Sequence, residues 1–212
     1  MTELLLTGGV DADTLVLLAH GAGAPMTSPF MNEIAGLLAE RAIATARFEF
    51  AYMATRRDGR RPRPPRAEQL QKEYEAAVAS VRRHARTRVL LIGGKSLGGR
   101  VASLVADRLY AAGAISGLVC LGYPFHPPAK PEALRTAHLE ALACPTLLIQ
   151  GERDPFGSRA EVASYLLSPA IQIHWVGDGD HDLGPRGASG FTRLGNLEAA
   201  ADAIAAFARS LK

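Results

Sequence analysis

Two cysteines, Cys120 and Cys144, are all that this chain of 212 residues carries. That is too few for a disulfide framework, and each lies in or beside an apolar run, so both are expected to be reduced, buried thiols. Long apolar runs are missing as well: no stretch reaches the roughly 20 residues that a bilayer-spanning helix needs. The opening segment MTELLLTGGVDADT has no basic leader and an apolar run too short for a signal peptide, which makes a cytoplasmic location the expectation. There is no phosphate-loop motif, since Lys95 stands in the wrong place for one, and no dinucleotide fingerprint. No cofactor is therefore expected. No internal repeat or linker divides the chain, and its length suits one domain, residues 1–212, around one core.

Charge is present but unevenly spread. The net charge is +3, yet Arg56, Arg57, Arg60, Arg61, Arg63 and Arg66 crowd one stretch and Arg82, Arg83, Arg86 and Arg88 another. Basic clusters attract nucleic acid or acidic ligands. Here no aromatic residues interleave with them and no nucleic-acid motif accompanies them. The reading is a solvated loop, with RRPRPPR (Arg60 to Arg66) extended, and a solvated helix face, so no nucleic-acid or membrane partner is expected.

Short apolar runs alternate with segments of helical period. The runs are Leu15 to Ala19, Arg47 to Met53, Val89 to Ile92, Leu118 to Leu121, Thr146 to Ile149 and Ile171 to Val176. Several are apolar throughout, as parallel strands covered on both faces must be. Between them, Ser28-Pro29 resembles an N-cap followed by proline at the first helical position, ahead of Ile34, Leu37 and Leu38. Leu70, Tyr74, Ala77, Val78 and Val81 form one stripe, and Val101, Leu104, Val105 and Leu109 another that Gly113 can end. Ser158 to Glu161 reads as a capping box before Val162, Tyr165 and Leu166, and Ala201, Ile204, Phe207 and Leu211 mark a final helix. This alternation predicts an α/β fold with a mainly parallel central sheet flanked by helices. Ligands of such sheets bind beyond the carboxyl ends of the strands.

At one such end stands Gly94-Lys95-Ser96-Leu97-Gly98, a G-x-S-x-G sequence between a strand and a helix. Glycines at those positions permit a sharp strand-to-helix turn that exposes a strained serine, Ser96, at the positive end of the next helix. A serine nucleophile needs oxyanion donors. Leu97 N–H supplies one, and the earlier loop His20-Gly21-Ala22-Gly23 the other, with Ala22 preferred to Gly23. His20 is read as holding that loop.

An acid and a base should follow Ser96 in that order. Asp154 lies just past the strand Thr146 to Ile149, with Glu152 the weaker rival, and no carboxylate follows the preceding strand until Glu132. His181, in Gly179-Asp180-His181-Asp182, follows the last strand, and an imidazole suits proton transfer near neutral pH. Of the other histidines, His84, His138 and His174 are read as structural or solvated. Gly23, Tyr123 and His126 are assigned to the substrate side. Asp178, Asp180 and Asp182 are read as shaping the loop rather than holding a metal, which is not expected.

These segments resemble a family. HGAGAPMTSPFM (His20 to Met31), FEFAYM (Phe48 to Met53), GGKSLGGR (Gly93 to Arg100), LGYPFHPP (Leu121 to Pro128), QGERDPFG (Gln150 to Gly157) and GDHDL (Gly179 to Leu183) look like the small lidless α/β-hydrolases related to dienelactone hydrolase. Within these, the likeness is greatest to the group of testis-expressed hydrolase-like proteins and subunit 3 of the non-specific lethal chromatin complex. The resemblance implies an α/β-hydrolase fold with no large cap domain, and Ser96, Asp154 and His181 match the family's triad positions. Dienelactone hydrolases proper use a cysteine where this chain has Ser96, so their particular chemistry does not carry over. The expected partner is a small-molecule ester-type substrate; oligomeric state is left open. The alternative is a non-catalytic interaction module on the same fold.

Overall fold

Strands whose residues are apolar on both sides can be stable only with a helical layer on each face. The protein, here a computed structural model, meets that condition. The structure describes residues 3–9, 12–57, 59 and 63–211, with the side chains of Arg56 and Arg57 excluded. Seven strands form one sheet in the order β1-β3-β2-β4-β5-β6-β7. They are β1 (Leu5–Thr7), β2 (Thr14–Ala19), β3 (Ile43–Phe48), β4 (Val89–Lys95), β5 (Gly117–Leu121), β6 (Thr146–Gly151) and β7 (Ile171–Val176). All neighbours are parallel except β1, which pairs antiparallel with β3.

The side-chain period of two divides each strand between two cores. Leu15, Leu17 and Ala19 of β2 face one core with Tyr74, Val78, Val101 and Val105. Val16 and Leu18 face the other with Ile34, Leu38, Leu197 and Ile204. The first core is covered by α3 (Gln71–His84) and α4 (Leu97–Ala111), the second by α1 (Pro29–Ala39) and α6 (Arg193–Ser210). Proline occupies the first turn of α1, and Gly113, at φ 65°, follows the end of α4.

Several elements differ from the sequence expectation. β3 ends at Phe48, and Ala51–Arg57 is a helix, α2, so Tyr52 and Met53 are buried from a helix. A short apolar run does not distinguish these two forms. The capping box at Ser158 is present, but its helix α5 spans only Arg159–Val162, and Leu166 is exposed. α6 begins at Arg193, a full two turns before its first anticipated core residue. The antiparallel β1 carries no pattern that announces it. Arg60 and Arg61, in the arginine-rich stretch, lie outside the described residues.

The chain runs from β2 to β3 on one side and later to β4 on the other, so strand order reverses at β2. Crevices open at such switch points beyond the carboxyl ends of the strands. No cap domain covers this end. The connection between β5 and β6 holds only a 3-10 turn at Ala137–Leu139, and Phe125 and Leu139 fold down into the core. Among the described residues, no helix is long and apolar enough to cross a membrane.

Candidate active site

Ser96 links β4 directly to α4 and has φ 50° and ψ −112°, a strained conformation for a residue with a side chain. The flanking glycines are required by contact. A Cβ on Gly94 would lie 2.3 Å from Ala19 O, and one on Gly98 2.4 Å from the same oxygen. Their absence lets the start of α4 press against the end of β2. Ser96 N–H donates to Leu121 O at 3.0 Å, tying the turn to β5. Behind it, the buried Tyr74 hydroxyl accepts from Gly93 N–H at 2.8 Å and donates to Gly93 O at 2.6 Å.

The loop after β2 is built around His20. Its Nε2 accepts from Phe50 N–H at 3.2 Å, which leaves Nδ1 to donate to Gly21 O at 2.7 Å. The ring is buried, with Phe50 and Tyr52 against it. His20 therefore holds the loop, as expected. Tyr52 Oη donates to Ala22 O at 3.2 Å. A Cβ on Gly21 would stand 3.9 Å from that of Ser96. Ala22 lines the same cavity as Ser96, and Leu97, next to Ser96 and first in its helix, has an N–H without an intrahelical acceptor.

Asp154 is fully buried three residues beyond β6. Its Oδ1 accepts from Phe156 N–H at 2.8 Å, and its Oδ2 accepts from Gln150 Nε2 at 2.9 Å and from His181 Nδ1 at 2.8 Å. With the carboxylate accepting at Nδ1, the imidazole keeps Nε2 as its other working atom. The His181 side chain is 21% exposed, against 0% for Asp154. The Phe156 ring lies 4.2 Å from the imidazole, centroid to centroid. Glu152 is occupied elsewhere: its carboxylate accepts from Asp178 N–H at 3.1 Å and pairs with Arg159 at 2.7 Å. These bonds hold its pKa below the ordinary range.

Ser96 and His181 open into one cavity of about 480 Å³, whose walls include Ala22, Gly23, Phe30, Met31, Lys95 and Phe156. A larger cleft of about 700 Å³, between α2 and α3, is lined by Glu49, Glu73 and Arg83 and holds none of Ser96, Asp154 or His181. Gly23 lies on the cavity wall.

Tyr123 and His126 do not. Tyr123 is fully buried with its hydroxyl donating to Arg135 O at 3.0 Å, and burial raises its pKa. His126 is 1% exposed, with Nδ1 3.0 Å from Pro127 O. Both support the β5–β6 connection from below, a correction to their placement on the substrate side. Gly122, at φ 62°, begins that connection, and Tyr123 and Phe125 after it are buried.

The remaining candidates resolve into structural roles. Asp178 accepts from Arg186 N–H at 2.7 Å and pairs with Arg153 at 2.8 Å, so these cations hold its carboxyl well below the usual range. Asp180 Oδ1 accepts from the N–H groups of Asp182 and Gly184, both at 2.9 Å, which folds the loop around His181. His138 lies 2.8 Å from Ser103 Oγ, and His84 2.8 Å from Ser80 O. Cys120 and Cys144 are buried thiols, and burial pushes the Cys144 pKa up to about 12. Two contributors escaped the sequence reading. Gln150 braces Asp154, and Lys95 enters the cavity wall and pairs with Asp182. No motif marks the first, and the G-x-S-x-G pattern leaves the second unspecified.

Comparison with solved structures gives the same architecture. A dienelactone hydrolase from Anabaena variabilis is 24% identical, with 96% of this chain and 88% of that one covered and a TM-score of 0.67. The esterase Est1E from Butyrivibrio proteoclasticus is 13% identical over 98% and 93%, with a TM-score of 0.69. A serine hydrolase without a lid from Xanthomonas campestris is 20% identical over 85% and 80%, with a TM-score of 0.62. At these identities the likeness is one of fold. The model of the alpha/beta hydrolase domain family matches residues 12–209, and this chain belongs to that family.

Proposed function

We propose that the protein is a serine hydrolase of esters or related acyl compounds, working through Ser96, His181 and Asp154. The observation that carries this reading is the 2.8 Å pairing of His181 Nδ1 with a buried Asp154, beside a cavity that also receives Ser96 from a strained turn. Asp154 fixes the tautomer, so that Nε2 accepts the Ser96 proton as Oγ attacks the carbonyl carbon. The Leu97 and Ala22 N–H groups stabilise the oxyanion, each contributing roughly 3 kcal/mol at the transition state. The proton on Nε2 passes to the leaving alcohol, and an acyl-enzyme remains. Water, activated by His181, then releases the acid.

A cavity of about 480 Å³ with Phe30, Met31 and Phe156 in its walls suits a small apolar acyl group, and the absence of a cap leaves it open. Motifs shared with the testis-expressed hydrolase-like group support placing the chain near that branch. Hydrolysis of p-nitrophenyl acetate and butyrate tests the reading. Turnover by the natural sequence that disappears in Ser96→Ala is expected; turnover that survives the substitution, or a folded protein with none, contradicts it.

A further inference from the structure

Lys95 immediately precedes Ser96 and Asp182 immediately follows His181, and their side chains meet, with Nζ 3.2 Å from Oδ1. The lysine side chain is 8% exposed and that of the aspartate 66%. A strained turn asks for glycines around the serine but has no need of a buried ammonium beside it. Such burial is costly unless the charge is paired, and it lowers the Lys95 pKa while Asp182 pushes back. The path of the side chain explains its presence. Nζ lies 5.5 Å from the centre of the Phe30 ring. A Cβ on Gly122, at φ 62°, would stand 3.2 Å from Nζ and 2.7 Å from His181 O. The ammonium therefore crosses between the end of β5 and the histidine loop, through space that a glycine leaves open.

We infer that the Lys95–Asp182 pair is a latch that sets the histidine loop in register with the nucleophile's own strand, making both side chains positioning residues. The inference rests on the reading of Ser96 and His181 given above. Other contacts on the loop run elsewhere: Asp154 holds the imidazole from β6, Asp180 shapes the turn, and Arg193 Nη1 reaches Asp182 O at 3.4 Å from α6. Lys95 ties it to β4, the strand from which Ser96 emerges. The favourable pairing largely offsets the cost of burying the ammonium, so the net effect of having the latch falls on placement more than on folding. Small misplacements at a reacting centre are costly in rate.

Asp182→Asn, Lys95→Met and the double variant test it, using the rate of fluorophosphonate labelling of Ser96 and amide exchange across residues 179–184. Each single variant should slow labelling by roughly 10- to 100-fold, and the double variant no more than the slower single, because one contact is lost in every case. Exchange in the loop should quicken in all three; Asp182→Asn, which leaves the buried ammonium without its counter-charge, should also lower the melting temperature, whereas the double variant, which removes both charges, should lower it less. Should Lys95→Met fail to fold, the exposed Asp182→Asn carries the test alone. Labelling of Asp182→Asn at the natural rate, or unchanged exchange, overturns the latch. If the natural sequence is not labelled, the proposed hydrolase function fails instead, and loop exchange in Asp182→Asn decides the latch by itself.

Discussion

The two sides of the cavity are held by different kinds of force. On the side proposed to carry the nucleophile, Ser96 is fixed by sterics within a few residues: Gly94 and Gly98 permit a close approach to Ala19 O, where a Cβ at either position would clash. On the side proposed to carry acid and base, side-chain bonds do the holding: Gln150, four residues away, donates to Asp154, and Lys95 and Arg193, distant in sequence, hold the residue after His181. The first arrangement is rigid and intolerant of added atoms. The second is a network whose members can be removed singly, at graded cost.

That contrast can be broken at several points, beginning with the largest effect. His181→Ala should reduce kcat/KM for p-nitrophenyl acetate by about 10⁴-fold, as removal of a triad member does; steady-state kinetics read it directly. Gly98→Ala comes next, with a methyl group driven toward Ala19 O. The expected loss is about 3 kcal/mol of folding stability by urea denaturation, and an unchanged midpoint would show that the turn is not sterically locked. Gln150→Leu removes one donor from a buried carboxylate, worth roughly 2 kcal/mol, and should slow acylation more than it lowers the melting temperature.

The smallest effect belongs to Asp178→Asn. Arg186 and Arg153 depress the Asp178 pKa in the folded protein, so its contribution is present above the ordinary carboxylate range and is lost as pH falls through the lowered value. The stability gap between this variant and the natural sequence should therefore be visible near neutral pH and close in acid below about pH 4. Thermal melts across pH measure it.

The same contrast explains what could be read from the sequence. The turn at Ser96 was legible because its determinants are neighbours: strand, glycines, serine, helix. The parallel sheet was legible because the runs Leu15 to Ala19, Val89 to Ile92, Leu118 to Leu121 and Leu147 to Ile149 are apolar throughout, which permits little else than burial on both faces. Asp154 and His181 were legible as positions, each just beyond a strand end, in the chain order that serine hydrolases of this architecture keep. Gln150 and Lys95 were not: no pattern marks a glutamine four residues before an aspartate as its donor, and Lys95 meets Asp182 only after folding. Tyr123 and His126 followed a strand end as well, but both are buried there, and no residue pattern distinguishes a strand-end residue that enters the core from one that lines a cavity. Tyr52 and Met53 supplied the apolar atoms a strand would, yet did so from α2, since burial constrains hydrophobicity more tightly than backbone form.

The central claim is that His181, braced by Asp154, activates Ser96. Its most direct test is the second-order rate of fluorophosphonate labelling, with the adduct located by peptide mass, in the natural sequence and in His181→Ala. The account predicts a single adduct on Ser96 that forms readily in the first protein and slows by at least about 10³-fold in the second. An adduct on another residue, or equal rates in the two proteins, would contradict it.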